Sequence, residues 1–140
     1  MNTNHLTACN GLKIANMRTI KFRGLDFFTN QWHYGYLIQV EAEGKTYSWI
    51  ENCGTRMSVF TDSVGKFIGI HDKNAKEVYS GDVTHDGKVV AWEQQACSFL
   101  LKWEEGKVHR YSEIRPDYSD GEYFSSHIEI IGNIHQTPTT

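Results

Sequence analysis

Three kinds of signal are scarce in this 140-residue chain. Cysteine occurs only at positions 9, 53 and 97, with no C-x-x-C pair. An odd, scattered set argues against a disulfide framework and for free thiols in a reducing compartment. Proline occurs twice, so extended proline-rich linkers are excluded. No apolar run approaches the roughly 20 residues that a membrane helix needs. The opening "MNTNHLTACNGLKIAN" lacks the apolar centre of a secretory leader. These absences together predict a cytoplasmic protein with no membrane association.

A basic excess is missing too. The formal net charge is −3. Residues 1–70 carry 7 Lys/Arg against 5 Asp/Glu, a balance of +2; residues 71–140 carry 7 against 12, a balance of −5. A duplex-DNA binder presents a basic surface, and only the N-terminal half has material for one: Lys13, Arg18, Lys21 and Arg23.

Reaction signatures are absent as well. There is no G-x-x-x-x-G-K or G-x-G-x-x-G phosphate cradle and no G-x-S-x-G elbow. The 7 histidines show no H-x-x-x-H spacing, so they read as solvated turn residues rather than metal ligands. "DYSDGE", 117–122, fails as a calcium loop: its Gly is fifth rather than sixth, and Ile128 stands where a Glu is needed. Cys97, in "ACSFLL", reads as a buried structural thiol rather than a nucleophile. No catalytic residue, metal or cofactor is expected.

Strand signals are plentiful: 4 Trp, 7 Tyr and 7 Phe, with β-branched residues between them. "TIKFRG" alternates, which predicts Ile20 and Phe22 facing inward and Lys21 and Arg23 facing solvent. "LIQVEAEGKTYSWIE" reads as a hairpin turning at Glu43-Gly44. Ile38, Val40, Ala42, Tyr47 and Trp49 share its apolar face. In "HDKNAKEVYSGDV", 71–83, "DKNA" is a turn. Gly81 supplies a bend there, and Asp82 caps it by accepting backbone N–H bonds. A meander follows to about residue 112, with turns roughly every ten residues. Residues 113–127 read as a long polar loop, and Gly132 marks a bulge in a last strand.

This pattern predicts a mainly β fold with little helix: a small, partly open SH3-like barrel with an additional N-terminal hairpin. Residues 1–16 read as a flexible tail or extension, and 17–138 as one domain.

Three blocks carry a family likeness: "MRTIKFRGLD" (17–26), "FIGIHDKNAKEVYSGDV" (67–83) and "IEIIGNIHQTP" (128–138). In these the chain resembles the YopX family of small phage and prophage proteins. The resemblance implies a mostly β fold, a phage or prophage origin and no catalytic residues to carry over. One position departs from the family pattern: Ala75 stands where a glycine follows the turn asparagine. If that position needs positive φ, alanine costs roughly 1 kcal/mol there.

The functional expectation is a non-enzymatic accessory protein that binds a protein partner, either a host protein or a second copy. The alternative is single-stranded DNA or RNA binding, with Lys21 and Arg23 on phosphates and Trp92 and Trp103 stacking on bases. Trp92, Phe99 and Trp103 read as core, because Glu93, Glu104 and Glu105 surround their neighbouring lysines. Asp82 is the one acid singled out, and a turn cap is its expected role. A cleft joining it to a histidine would favour an enzyme.

Overall fold

The computed structural model describes residues 20–119 and 121–135; the expected tail, 1–16, lies outside them. The chain is mainly β: thirteen strands and one three-residue 3-10 turn among the described residues. Inside the span 17–138, contacts group the chain into two compact units, one ending at Phe67 and the other beginning at Ile68.

Unit 1 holds β1 (Phe22–Leu25), β2 (Trp32–Ala42), β3 (Lys45–Asn52), β4 (Thr55–Val59), the 3-10 turn Thr61–Ser63 and the start of β5 (Gly65–His71). Its antiparallel order is β5-β1-β2-β3-β4, so the expected hairpin, β2–β3, lies at the centre of this sheet. The turn forms as the sequence indicates. Glu43 and Gly44 have φ of 52° and 77°, and Ala42 pairs with Lys45 beside them. Positive φ at both central residues matches the twist of the flanking strands.

The sheet curls until the end of β1 meets β4. Asp26 bridges to Val59, Phe27 N–H donates to the Ser58 carbonyl at 2.9 Å, and Phe60 N–H donates to that of Leu25 at 2.9 Å. Gly24 permits this approach, since a Cβ there would lie 2.7 Å from Val59 Cγ2. Leu25, Ile50, Val59 and Phe67 are buried in this unit.

Unit 2 continues with β6 (Glu77–Tyr79), β7 (Asp82–Thr84), β8 (Val89–Glu93), β9 (Ser98–Glu105), β10 (Val108–Glu113), β11 (Asp117–Ser119), β12 (Glu122–Phe124) and β13 (Ile130–Asn133). The meander appears as expected, in a five-stranded order β10-β9-β8-β7-β13. The expected loop at 113–127 instead contains the short β11–β12 hairpin, with β12 parallel to the end of β5 at Phe124 and His71. Tyr118 and Tyr123 pair across that hairpin, their rings 4.8 Å apart, so aromatic pairing gives strand structure to a polar stretch. The β13–β7 register shifts between Ile130 and Gly132, as a bulge does. Ile70, Val78, Val90, Leu101, Ile128 and Ile130 form the core, with Ile68 and Ile114 against it.

The run at 71–83 is a hairpin return fixed by two buried carboxylates. Asp72 Oδ1 accepts the N–H groups of Asn74 and Lys76, each at 2.9 Å, and Oδ2 accepts that of Ile130 at 2.9 Å. One side chain thus ties the turn to β13. Ala75 has φ 65°, so it occupies the left-handed conformation a glycine would take freely. Gly81 bends at φ 93°, and Asp82 Oδ2 accepts the Tyr79 N–H at 2.8 Å.

Cysteine usage departs from expectation. Cys53 is disulfide-bonded, so it is not a free thiol. Cys97 is free but exposed. It ends the turn after β8 with φ 50°, in solvent rather than buried as expected.

Candidate functional site

The most distinctive surface lies on unit 1, and a buried acid builds it. The β1–β2 connection is short and carries two consecutive phenylalanines. Asp26 folds it inward: Oδ1 accepts the N–H groups of Phe28 at 2.7 Å and Thr29 at 2.9 Å. Oδ2 meets His33 Nε2 at 2.6 Å. The bond to His33, then that from the Phe28 N–H, holds the Asp26 carboxyl down at about 2. With the acid turned in, Phe27 and Phe28 project into solvent; Phe28 is 82% exposed.

Other rings gather beside them. Phe27 meets Phe28 edge-on at 5.2 Å between centroids and Phe60 at 4.9 Å. On β3, Tyr47 and Trp49 stack at 6.5 Å. These five rings, with Lys45 and Ser58, border a concavity of about 490 Å³. Across the hairpin, Val40 pairs with Tyr47, Ile38 with Trp49 and Tyr36 with Glu51, extending the apolar face along β2. Among the described residues, charge on this face is confined to its two ends. Lys45 stands at the hairpin tip, and Glu51 Oε1 accepts Arg56 Nε–H at 2.9 Å at the far end.

The residues singled out from sequence sit differently. Lys21 and Arg23 are 1% and 5% exposed, whereas Ile20 is half exposed, so the expected alternation of β1 is reversed. Aromatic neighbours explain this burial. The Lys21 ammonium lies 5.7 Å from the Phe67 ring centroid, and the Arg23 guanidinium 4.7 Å from that of Trp32. Neither residue is an exposed phosphate contact. Asp82 is buried on the Tyr79 N–H, as a cap.

The tryptophans depart from the core reading in degree. Trp92 shares a strand face with buried Val90 but is 50% exposed. Its ring meets Phe99 edge-on at 5.1 Å, and its Nε1–H donates to Gln94 Oε1 at 2.9 Å. Trp103 is partly buried beneath the Lys88 ammonium, 4.4 Å from its centroid. Both lie toward the ends of the β8–β9 pair, where the core beneath the sheet runs out.

Unit 2 has a smaller concavity of about 350 Å³, lined by residues that include His85, His127, Asp86, Lys88 and Arg115. Lys88 Nζ pairs with Asp86 Oδ2 at 3.3 Å. Asp86 is held below the usual carboxylate range, first by the Thr84 hydroxyl. Asp82 is not among its lining residues. No described group of three His, Cys, Asp or Glu is arranged to hold a metal ion, and no described helix is long and apolar enough to cross a membrane.

Sequence reasoning missed Phe27, Phe28, Phe60 and the Asp26–His33 pair. The available signal was "LDFFTNQ": two adjacent phenylalanines among turn residues, outside any alternating strand.

A family model described as YopX protein matches residues 21–140. No curated protein matches the chain.

Proposed function

We propose that this chain, which belongs to the YopX family, is a non-enzymatic binding module that takes a protein partner on the aromatic face of unit 1. The observation that carries this reading is the exposed cluster of Phe27, Phe28 and Phe60, in which the Phe27 ring contacts both of the others. A phenyl ring has no polar atom for water to satisfy. Several together on a surface mark an interaction site. Large aromatic anchors are also the residue type on which protein interfaces concentrate their energy.

Charge favours protein over nucleic acid. Base stacking works beside cations that follow the phosphates. Among the described residues, Arg56 on this face is engaged by Glu51, Lys45 stands at the hairpin tip, and Lys21 and Arg23 are buried elsewhere. Following the family resemblance, the setting is a phage or prophage accessory role. A second reading, single-stranded DNA or RNA on unit 2, is favoured by half-exposed Trp92 beside Phe99.

Two assays on the full chain test this. Fluorescence anisotropy of labelled single-stranded DNA and RNA should show no saturable binding at low salt. Panning a displayed peptide library should select sequences that bind the wild type and lose binding to Phe28→Ala. Salt-sensitive binding to nucleic acid, with no Phe28-dependent peptide, would overturn the proposal.

A further inference from the structure

We infer that the partner on this face is a second copy of the same chain, docked with its β3 strand antiparallel to the first. This inference rests on the protein-binding reading above and supplies its occupant.

The outward side chains of β3 alternate with period two: Lys45, Tyr47, Trp49, Glu51. The intervening Ser48 and Ile50 are buried, which identifies the outward set. Read along the strand, the order is cation, aromatic, aromatic, anion, symmetric in position about Ser48. A two-fold interface requires a patch to complement itself. Sheets that pack face to face keep their strands roughly aligned, parallel or antiparallel. Parallel strands would set Lys45 against Lys45 and Glu51 against Glu51. Antiparallel strands set each Lys45 against the other copy's Glu51, about 20 Å apart along the strand, with Tyr47 against Trp49 between them.

The neighbouring strands agree. On β2 the outward residues are Tyr36, Ile38, Val40 and Ala42, from their pairing with Glu51, Trp49, Tyr47 and Lys45. Antiparallel superposition sets Ala42 against Tyr36 and Val40 against Ile38, a small group against a large one and two aliphatics together. Arg56 engages Oε1 of Glu51, and Oε2 is the oxygen the incoming ammonium would meet. Charge at both ends of an apolar strip fixes orientation, the usual role of rim charges in specificity.

Sedimentation velocity on the full chain, over concentrations from about 1 to 200 μM, reads the outcome. Wild type should dimerise. Lys45→Glu and Glu51→Lys should each weaken the dimer about tenfold, since each replaces two attractive contacts with two repulsive ones. An equimolar mixture of the two variants should recover dimer, because the heterodimer restores both pairs of opposite charge. Thermal melts of each variant alone establish that the fold is retained. A wild type that stays monomeric to 200 μM overturns the inference, as does a mixture no tighter than its components. If the wild type is monomeric yet binds Phe28-dependent peptides, only the choice of occupant fails. If it is monomeric and binds none, the protein-binding reading fails with it.

Discussion

In unit 2 the large aliphatic side chains close on one another: Ile70, Val78, Val90, Leu101, Ile128 and Ile130 make one buried cluster. The large groups it leaves exposed are the aliphatic Val108, Ile131 and Ile134 together with the rings of Tyr111, Tyr118, Tyr123 and Trp92, whose indole N–H is bonded to Gln94. Such rings have a polar end that water or a neighbour satisfies. Unit 1 distributes its residues the other way. It buries two basic side chains, Lys21 and Arg23, and sets three phenylalanines outside. Both units use buried aspartates to fix turns, but with opposite results. Asp72 draws backbone together over a core. Asp26 folds its own side chain inward and thereby turns Phe27 and Phe28 out. Among the described residues, the exposed phenylalanines are all in unit 1, gathered in ring contact, and theirs is the surface the proposed partner would cover.

Five substitutions test that contrast. The largest effect belongs to Asp72→Ala. It strands three backbone donors, that of Ile130 in a buried setting and those of Asn74 and Lys76 in a part-buried one. Stability should fall by about 3 kcal/mol or more, read as a lower urea midpoint. Asp26→Ala comes next, at about 2 kcal/mol, through loss of the Phe28 and Thr29 bonds and the His33 contact. It should also abolish partner binding by releasing the turn that presents the rings.

The same acid gives a pH signature. Its folded carboxyl titrates at about 2, below its ordinary 3.8. The stability it contributes is present above the ordinary value and is lost as pH falls from there through about 2. Asp26→Asn should remove this contribution from the acid limb of a stability–pH curve.

Ala75→Gly should work in the opposite direction. It relieves a left-handed alanine and stabilises unit 2 by about 1 kcal/mol, seen as a raised Tm. Smallest in stability is Phe28→Ala, within about 0.5 kcal/mol in chemical denaturation, because the ring is almost wholly exposed. Its effect should appear in binding alone, and that separation distinguishes a presented side chain from a packed one.

How much of this could be read from the sequence depended on whether a signal was local. The Glu43-Gly44 turn, the β2–β3 face and the Gly81-Asp82 bend were all legible, because turn chemistry and period-two alternation are written in adjacent residues. So was the family. Lys21 and Arg23 were misread because alternation alone treats a charged side chain as solvent-facing. Phe67 lies far along the chain from Lys21, and the placement of Trp32 against Arg23 depends on how β1 and β2 pair. Asp72 was legible as part of a turn, but not as a partner of Ile130, 58 positions away. The aromatic face was least legible of all. It joins a turn, a strand and the residue after β4 through a curl that depends on Gly24 meeting Val59.

The most direct test of the central claim is site-specific photocrosslinking in cells expressing the full chain. Benzoylphenylalanine would replace Phe28 on the unit 1 face and, as a control, exposed Lys107 in the β9–β10 turn of unit 2. The account predicts a discrete protein adduct from position 28, lost when Trp49→Ala is added, and none from position 107. Equal labelling from both positions, or adducts at position 28 that are nucleic acid, would contradict it.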